Sequence, residues 1–427
     1  MIHPKMQYTY VGIDSHKDTH TAVFLDCFFE KLGEITFENL PSKFAGFLDF
    51  AQKYQTEGTV FLFGLEDTSA YGRSLTAFLV ANGQQVKHVN SLLVARERKN
   101  QNITEKTDSV DAECAARVLL SKFDKLPNAK PDDKYFALRT LVMRRDLLVR
   151  HKTASKGQLH DLLTQHYPNY RNFFVHIECN TSLTFYETYP SPSALEGVTA
   201  DELAGFFLAL SNKQIGKEKA QEILSTLQNT TSQFQEMQNE VIRSTIRQVR
   251  HIIEEIEILE DAIAVFLSEF NCTLTTITGM DIVSAAQFLS GIGDIKNFAT
   301  PAKLARYAGI APVTYASGKS DKQYSNQRGN RQLNALFYKL AVRLTMTAGP
   351  SRKIINSFFF DYYHRKMSEG KTKRQALKCV QRRLVNIIWT MLTNNEDYVN
   401  PPTYDLPKDD EAEPKTDKPK TLATPHA

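Results

Sequence analysis

Long apolar runs are missing from this 427-residue chain. No window approaches the roughly 20 continuous apolar residues of a membrane span, and the opening MIHPKMQYTY has no apolar signal core. A membrane-spanning or exported protein is therefore not expected, and the cytoplasm is the default compartment. Cysteine is sparse as well. Cys27, Cys114, Cys179, Cys272 and Cys379 lie far apart, form no CxxC pair and have no neighbouring histidine at metal spacing. That argues against a disulfide framework and fits a reduced, intracellular protein. A strong excess of one charge is also absent, with Lys+Arg 52 against Asp+Glu 48, a net +4. The total decides little, because the acidic DDEAEP near the end masks positive charge elsewhere, so local patches matter more. The chain is long enough for two or three units, each with its own core.

What is present first is a mixed pattern. YTYVGID and HTAVFLD read as strands about a turn, GEITFEN as a third strand and KFAGFLDFAQKY as an amphipathic helix. TVFLFGLED then reads as a buried strand, AYGRSLTAFLVANG as a helix ending at Gly83, QQVKHVN as a strand and SVDAECAARVLLSKF as a helix. An antiparallel triplet followed by βα units predicts a mixed sheet with helices packed on it, over residues 1–125. Residues 126–270 read as helical, interrupted near YPSPSALEGV. There Ile242, Ile246, Val249, Ile253, Ile256, Ile263 and Leu267 step mostly by fours and threes. That spacing predicts a coiled-coil seam or, since Glu260 breaks it, a helix packed inside a bundle. A helical unit is expected over 271–393, and the Pro-rich, charged 394–427 as a disordered tail.

Four acids stand out in the first unit. Asp14 and Glu66 end the first and fourth strands, so if those strands are parallel neighbours the two carboxylates converge at one sheet edge. Asp108 and Asp111 sit three apart at a helix start and face one side of its first turn. Four clustered acids repel one another unless cations neutralise them, and hard oxygen ligands suit Mg²⁺ or Mn²⁺. Two such ions are the usual machinery of phosphodiester chemistry. Taken singly, each acid also reads as a turn or cap residue, with Asp108 as an N-cap and Asp111 favoured by the helix dipole. His16 and His20 flank Asp14 and read as exposed turn or strand histidines rather than ligands.

A second constellation lies downstream. In ITGMDIVSAAQFLSGIGDIKNF, Gly279 separates two helical patterns and Gly291 and Gly293 precede another, as in helix-hairpin-helix units that hold a nucleic-acid backbone, or in an ordinary helical hairpin. Ser317 then precedes a glycine in a polar segment with Lys319, Lys322, Arg328 and Arg331. A serine in a cationic loop can attack a phosphodiester, although most Ser-Gly pairs are plain turns. Farther on, Arg365, Lys366, Lys371, Lys373 and Arg374 interleave with aromatics, which suits either a strand-binding face or a solvated helix.

At these residues the chain resembles the DEDD transposases of the insertion sequence one-ten family, the bridge-RNA-guided recombinases. VGIDSHKDTHTAVFLD, LEDTSAYGRSL and KTDSVDAECAARVL are similar to the three blocks of that family's RuvC-like domain, which maps its acids onto Asp14, Glu66, Asp108 and Asp111. ITGMDIVSAAQFLSGIGDIKNFATPAKLARYAGIAP, YASGKS and QRGNRQLNALFYKLA resemble its C-terminal transposase domain, which maps the catalytic serine onto Ser317. The resemblance implies an α/β plus all-α protein: an RNase H-like, RuvC-like domain, a helical and coiled-coil middle, and a helical C-terminal domain with a helix-hairpin-helix. It further implies a noncoding guide RNA pairing with target and donor DNA. The candidate seam adds an expected homodimer, two of which would assemble into a tetramer. Expected overall is a Mg²⁺- or Mn²⁺-dependent transposase. Its rivals are a junction endonuclease using the carboxylates alone, and a nucleic-acid-binding protein without catalysis.

Overall fold

The computed structural model describes residues 3–66, 70–131, 133–167, 169–210, 216–227, 233–317, 320–324, 326, 329–349 and 351–400, with backbone alone for 314–317 and 320–324. Its residues form two units, Met1–Thr140 and Leu141–Ala427.

In the first unit, β1 (Tyr8–Ser15), β2 (Thr19–Leu25) and β3 (Lys31–Glu38) form an antiparallel meander, and β4 (Val60–Leu65) and β5 (Gln85–His88) add in parallel on the other side of β1. The strand order is β3-β2-β1-β4-β5. This five-stranded mixed sheet is consistent with an RNase H-like domain. Alternation along β1 divides its residues between two faces. Val11 and Ile13 pack with Phe44 and Phe47 of α1 (Pro41–Ala51) and with Leu75 and Leu79 of α2 (Arg73–Ala81). Tyr10 packs on the opposite face with Val94 of α3 (Ser91–Asn100) and with Ala112, Ala115 and Ala116 of α4 (Asp108–Lys122).

Two glycines set how close α4 comes. Gly12 and Gly64 are direct partners across β1 and β4. A Cβ at Gly12 would lie 2.1 Å from the carbonyl oxygen of Ala112 and 2.3 Å from the amide nitrogen of Ala116, and one at Gly64 would meet Val89 and Leu119. Both contacts at Gly12 are with helix backbone, which cannot rotate away. Only glycine there lets α4 rest directly on the sheet.

In the second unit, helices dominate. It takes most of α5 (Lys134–His166), followed by α6 (Asn180–Thr188), α7 (Ala200–Leu210), α8 (Lys217–Ser225) and α9 (Gln235–Leu267). Aromatics fill their shared core: Tyr167, Phe173, Phe185, Tyr186 and Phe207 pack with Ile242, Ile246 and Val249 of α9. Farther along, Ile252 and Ile256 of α9 meet Leu148 of α5. Much of the expected seam thus packs on the chain's own helices, as the bundle alternative predicts. Glu260, which interrupts the seam, accepts a 2.8 Å hydrogen bond from Nε of Arg145 on α5.

Beyond α9 come α10 (Ile282–Ile292), α11 (Pro301–Tyr307), the hairpin β6 (Val313–Ser317) and β7 (Ser320–Tyr324), α12 (Arg331–Leu344), the short pair β8 (Thr347–Ala348) and β9 (Lys353–Ile354), α13 (Ser357–Ser368) and α14 (Lys373–Asn394). Gly279 (φ 100°) precedes α10 and Gly293 (φ 70°) ends it, both in the left-handed region that favours glycine, whereas Gly291 lies inside the helix. Phe288 of α10 meets Phe337 of α12 edge-on at 4.8 Å. Nε1 of Trp389 on α14 donates to the carbonyl of Phe298 at 2.7 Å. Of the expected tail, Tyr398 donates its amide to Oγ1 of Thr276 at 2.8 Å; residues 401–427 lie outside the described residues. No helix among the described residues is long and apolar enough to cross a membrane.

Candidate active site

The parallel β1–β4 pair brings the first two acids together. Ile13 and Leu65 are register partners, so Asp14 and Glu66 follow at neighbouring positions of one sheet edge. Asp14 lies within β1, one residue before its end, and is 7% exposed; Glu66 directly follows β4 and is half-buried. Asp14 alternates with Tyr10 and Gly12, the residues on the α4 face. Because Gly12 seats α4 on that face, the first turn of α4 delivers Asp108 and Asp111 beside Asp14. The N-cap of α4 is Thr107, whose Oγ1 accepts the amide of Val110 at 3.2 Å. The capping reading of Asp108 is therefore corrected, and its side chain remains available.

His16 joins two of the acids. Its Nε2 lies 3.0 Å from Oδ2 of Asp14 and 3.2 Å from Oδ1 of Asp108, with about half of the imidazole exposed. The turn that carries it is held by Asn39, whose Nδ2 donates to the carbonyls of His16, Lys17 and Tyr71. The plain turn reading of His16 is thus incomplete. His20 differs again: it is wholly buried in β2 and meets Phe37 edge-on at 5.5 Å, so it is a core residue, not an exposed one. Asp111 is paired with Nη1 of Arg98, from the last turn of α3.

Electrostatics couple all four acids. Burial raises the pKa of Asp14; His16 opposes that, while Asp108 and Asp111 add to it. Glu66 is raised by burial first and then by Asp14 and Asp111, with Lys106 and Arg98 pulling the other way. Burial lowers the pKa of His16, but Asp14 and Asp108 outweigh it and hold the imidazole above its ordinary value. The site is a negative centre with Asp14 at its buried end, and Arg98 balances part of its charge.

Ligand atoms of Asp14, His16 and Asp108 all lie within 4.8 Å of one another. Carboxylate oxygens with one imidazole make a donor set that suits a divalent cation such as Mg²⁺ or Mn²⁺. The chemistry of the residues present therefore fits such an ion.

The downstream candidates are spread through the second unit. Ser317 ends β6 and its backbone pairs with Ser320. Its side chain and that of Lys322 lie outside the described residues, as do Lys319 and Arg328 entirely. Arg331 begins α12 and is exposed. The guanidinium of Arg365 sits 5.2 Å from the ring centre of Tyr362, and Nζ of Lys366 is tied to Glu369 at 2.7 Å. Lys371, Lys373 and Arg374 are exposed where α14 begins. Sequence reasoning missed Arg98 and the bridging position of His16. The available signal for Arg98 was the basic end of SLLVARERKN.

Comparison with known proteins gives this geometry its context. A transposase family model matches residues 11–168, which contain all four acids, and a model of the transposase IS116/IS110/IS902 family matches residues 271–355. The insertion element IS116 uncharacterized 44.8 kDa protein of Streptomyces clavuligerus is 28% identical over 407 residues, covering 90% of this chain and 94% of its own. The insertion element IS110 uncharacterized 43.6 kDa protein of Streptomyces coelicolor is 27% identical, covering 69% of this chain and 72% of its own. The pilin gene-inverting protein of Moraxella lacunata is 23% identical, covering 92% of this chain and 98% of its own. With matched segments that together exceed half of its length, and insertion-element proteins aligned along most of it, the chain belongs to the IS116/IS110/IS902 family of transposases, enzymes that act on DNA.

Proposed function

We propose that the chain is the strand-cutting and strand-joining transposase of an insertion sequence, with Asp14, Glu66, Asp108 and Asp111 holding divalent metal and Ser317 attacking the DNA backbone. The observation that carries the metal reading is the seating of α4 on Gly12, which sets two helix acids beside the buried strand acid Asp14. Four carboxylates at one sheet edge repel one another, and the one fixed cation paired with them among the described residues, Arg98, offsets only part of that. Mg²⁺ or Mn²⁺ held there would polarise the scissile phosphate and steady the departing oxygen.

The serine step conserves bond energy. The Ser317 oxygen forms a new O–P bond as a P–O bond of the strand breaks; the hydroxyl gives up its proton and the departing sugar oxygen takes one. Rejoining reverses this with a different strand end. The name of the Moraxella relative, a gene-inverting protein, favours such exchange over plain hydrolysis by a junction endonuclease. The reading extends to a guide, a noncoding RNA that pairs with target and donor DNA.

The deciding experiment incubates the protein with element-end DNA in Mg²⁺, Mn²⁺ or chelator and resolves products on denaturing gels. Metal-dependent cleavage with protein bound covalently to DNA supports the reading. Cleavage with free ends throughout would assign hydrolysis instead, and cleavage undiminished by chelator would remove the metal.

A further inference from the structure

The second unit carries a cationic cleft that the carboxylate site does not use. A cavity of about 910 Å³ opens between Ile310–Pro312 and the α13–α14 pair. Its walls include Tyr362 of α13, Lys371 in the connecting turn, and Lys378, Arg382, Arg383 and Asn386 of α14. Lys378, Arg382 and Asn386 follow at steps of four, so one face of α14 presents them together.

These cations keep charge to spare, although the Arg383 guanidinium lies 5.8 Å from the ring centre of Phe358 and Lys371 acts on Glu369 at the rim. Among the described residues, none of Lys371, Lys378, Arg382 and Arg383 takes part in an ion pair, and the carboxylate at the rim, Glu369, is held by Lys366. Nη1 of Arg382, Nε of Arg383 and Oδ1 of Asn386 are buried without a hydrogen-bond partner. Partial burial, and then the neighbouring Arg374, lowers the pKa of Lys378. Buried guanidinium N–H groups left without acceptors are costly, and a cleft that gathers two of them beside two lysines is matched to a multivalent anion. Guanidinium forks fit phosphate oxygens in particular.

We propose that this cleft clamps the phosphodiester backbone of a nucleic-acid strand, with Arg382 and Arg383 donating to phosphate oxygens and Lys378 and Lys371 supplying charge. The choice of a nucleic acid over an acidic peptide rests on the transposase reading, and it does not depend on the role of Ser317. Position supports the choice. Pro312 at the cleft wall immediately precedes β6, and five residues of extended chain reach at most about 17 Å to Ser317. The backbone of β6, which follows the cleft wall, is thus within about 17 Å of it, a span of a few nucleotides.

The test uses the full chain and fluorescence anisotropy with labelled single-stranded DNA, duplex DNA and single-stranded RNA over a salt series. Arg382→Gln and Arg383→Gln are each expected to weaken binding about tenfold and to reduce the salt slope by about one. Lys217→Gln, which removes a charge from α8, should leave both within twofold. Arg382→Lys keeps the charge but not the fork, so affinity falls while the salt slope stays; this variant also stands in if the glutamine protein fails to fold. Loss confined to DNA probes, to RNA probes or shared by both supports the clamp and identifies the strand. The proposal is overturned by unchanged affinity and slope in the Lys378→Gln/Arg382→Gln protein, by equal loss in Lys217→Gln, or by polyglutamate competing as well as the oligonucleotide. Because the readout is binding, failure here is separable from failure of the cleavage chemistry.

Discussion

Gly12 of β1 and Ala112 of α4 approach so closely that a single methyl group on the glycine would lie 2.1 Å from the alanine's carbonyl oxygen. Gly12→Ala is therefore expected to lift α4 from the sheet and to destabilise the first unit by about 3 kcal/mol, the upper end for overpacking against atoms that cannot rotate aside. Chemical denaturation followed by circular dichroism measures this. Ser109→Ala, in the first turn of the same helix, removes only a hydroxyl that donates to Glu34 and should cost far less. Equal stability of Gly12→Ala and wild type would show that α4 is not seated as described.

Asp14→Asn removes one negative ligand while keeping volume. It should abolish strand cleavage and also erase the rise in melting temperature that Mn²⁺ or Mg²⁺ gives the wild type, since an ion that binds only the folded protein stabilises it in proportion to its affinity. Glu66→Gln, Asp108→Asn and Asp111→Asn should behave alike. The thermal readout matters because it needs no DNA. Wild-type cleavage in any two of these proteins would dismiss the cluster.

Ser317→Ala should retain DNA binding and the metal-dependent thermal shift yet form no covalent protein–DNA adduct on denaturing gels. An adduct that persists in this variant would move the nucleophile to another side chain.

Asp281 gives a pH prediction away from the active site. It caps α10 by accepting the Ser284 amide at 2.7 Å and pairs with Arg343 at 2.8 Å. Burial works to raise its pKa, but the hydrogen bonds from Ser284 and the Arg343 charge outweigh it and hold the carboxyl below its ordinary value. A depressed folded-state pKa means stability that is present above the unfolded value, about 3.9, and lost as pH falls further. Asp281→Asn keeps a good cap and loses the ion pair, which at half-exposed positions is worth about 0.5 kcal/mol. Urea titrations should show that difference at neutral pH and show it vanishing below about pH 4.

The pairing of Asp14 with Glu66 was legible because hydrophobic runs ending in an acid mark strands, and strands of a βα unit tend to be parallel. Their partners on α4 were legible from helix spacing. Arg98 was not, because α3 shows no helical period: Leu92, Leu93 and Val94 are adjacent and a charged run follows. Nothing local announces that its last turn will face Asp111. The α9 stripe shows a different limit. Steps of three and four reveal which face is buried, but only the tertiary structure shows that the burying surface is the chain's own α5 and α6. The β6–β7 hairpin was hidden by its polar second strand, SDKQY, which lacks the apolar alternation that marks a strand.

Trp389, fixed to the Phe298 carbonyl, is the chain's single tryptophan. Indole emission excited at the red edge therefore reports on the second unit alone. Melting of the carboxylate-bearing domain passes unseen in that signal, while loosening of the α14 scaffold behind the cleft is seen at once. An apparent two-state fluorescence transition for this protein describes one of its two cores. A dim or shifted spectrum in a first-unit variant would be direct optical evidence that the two cores communicate.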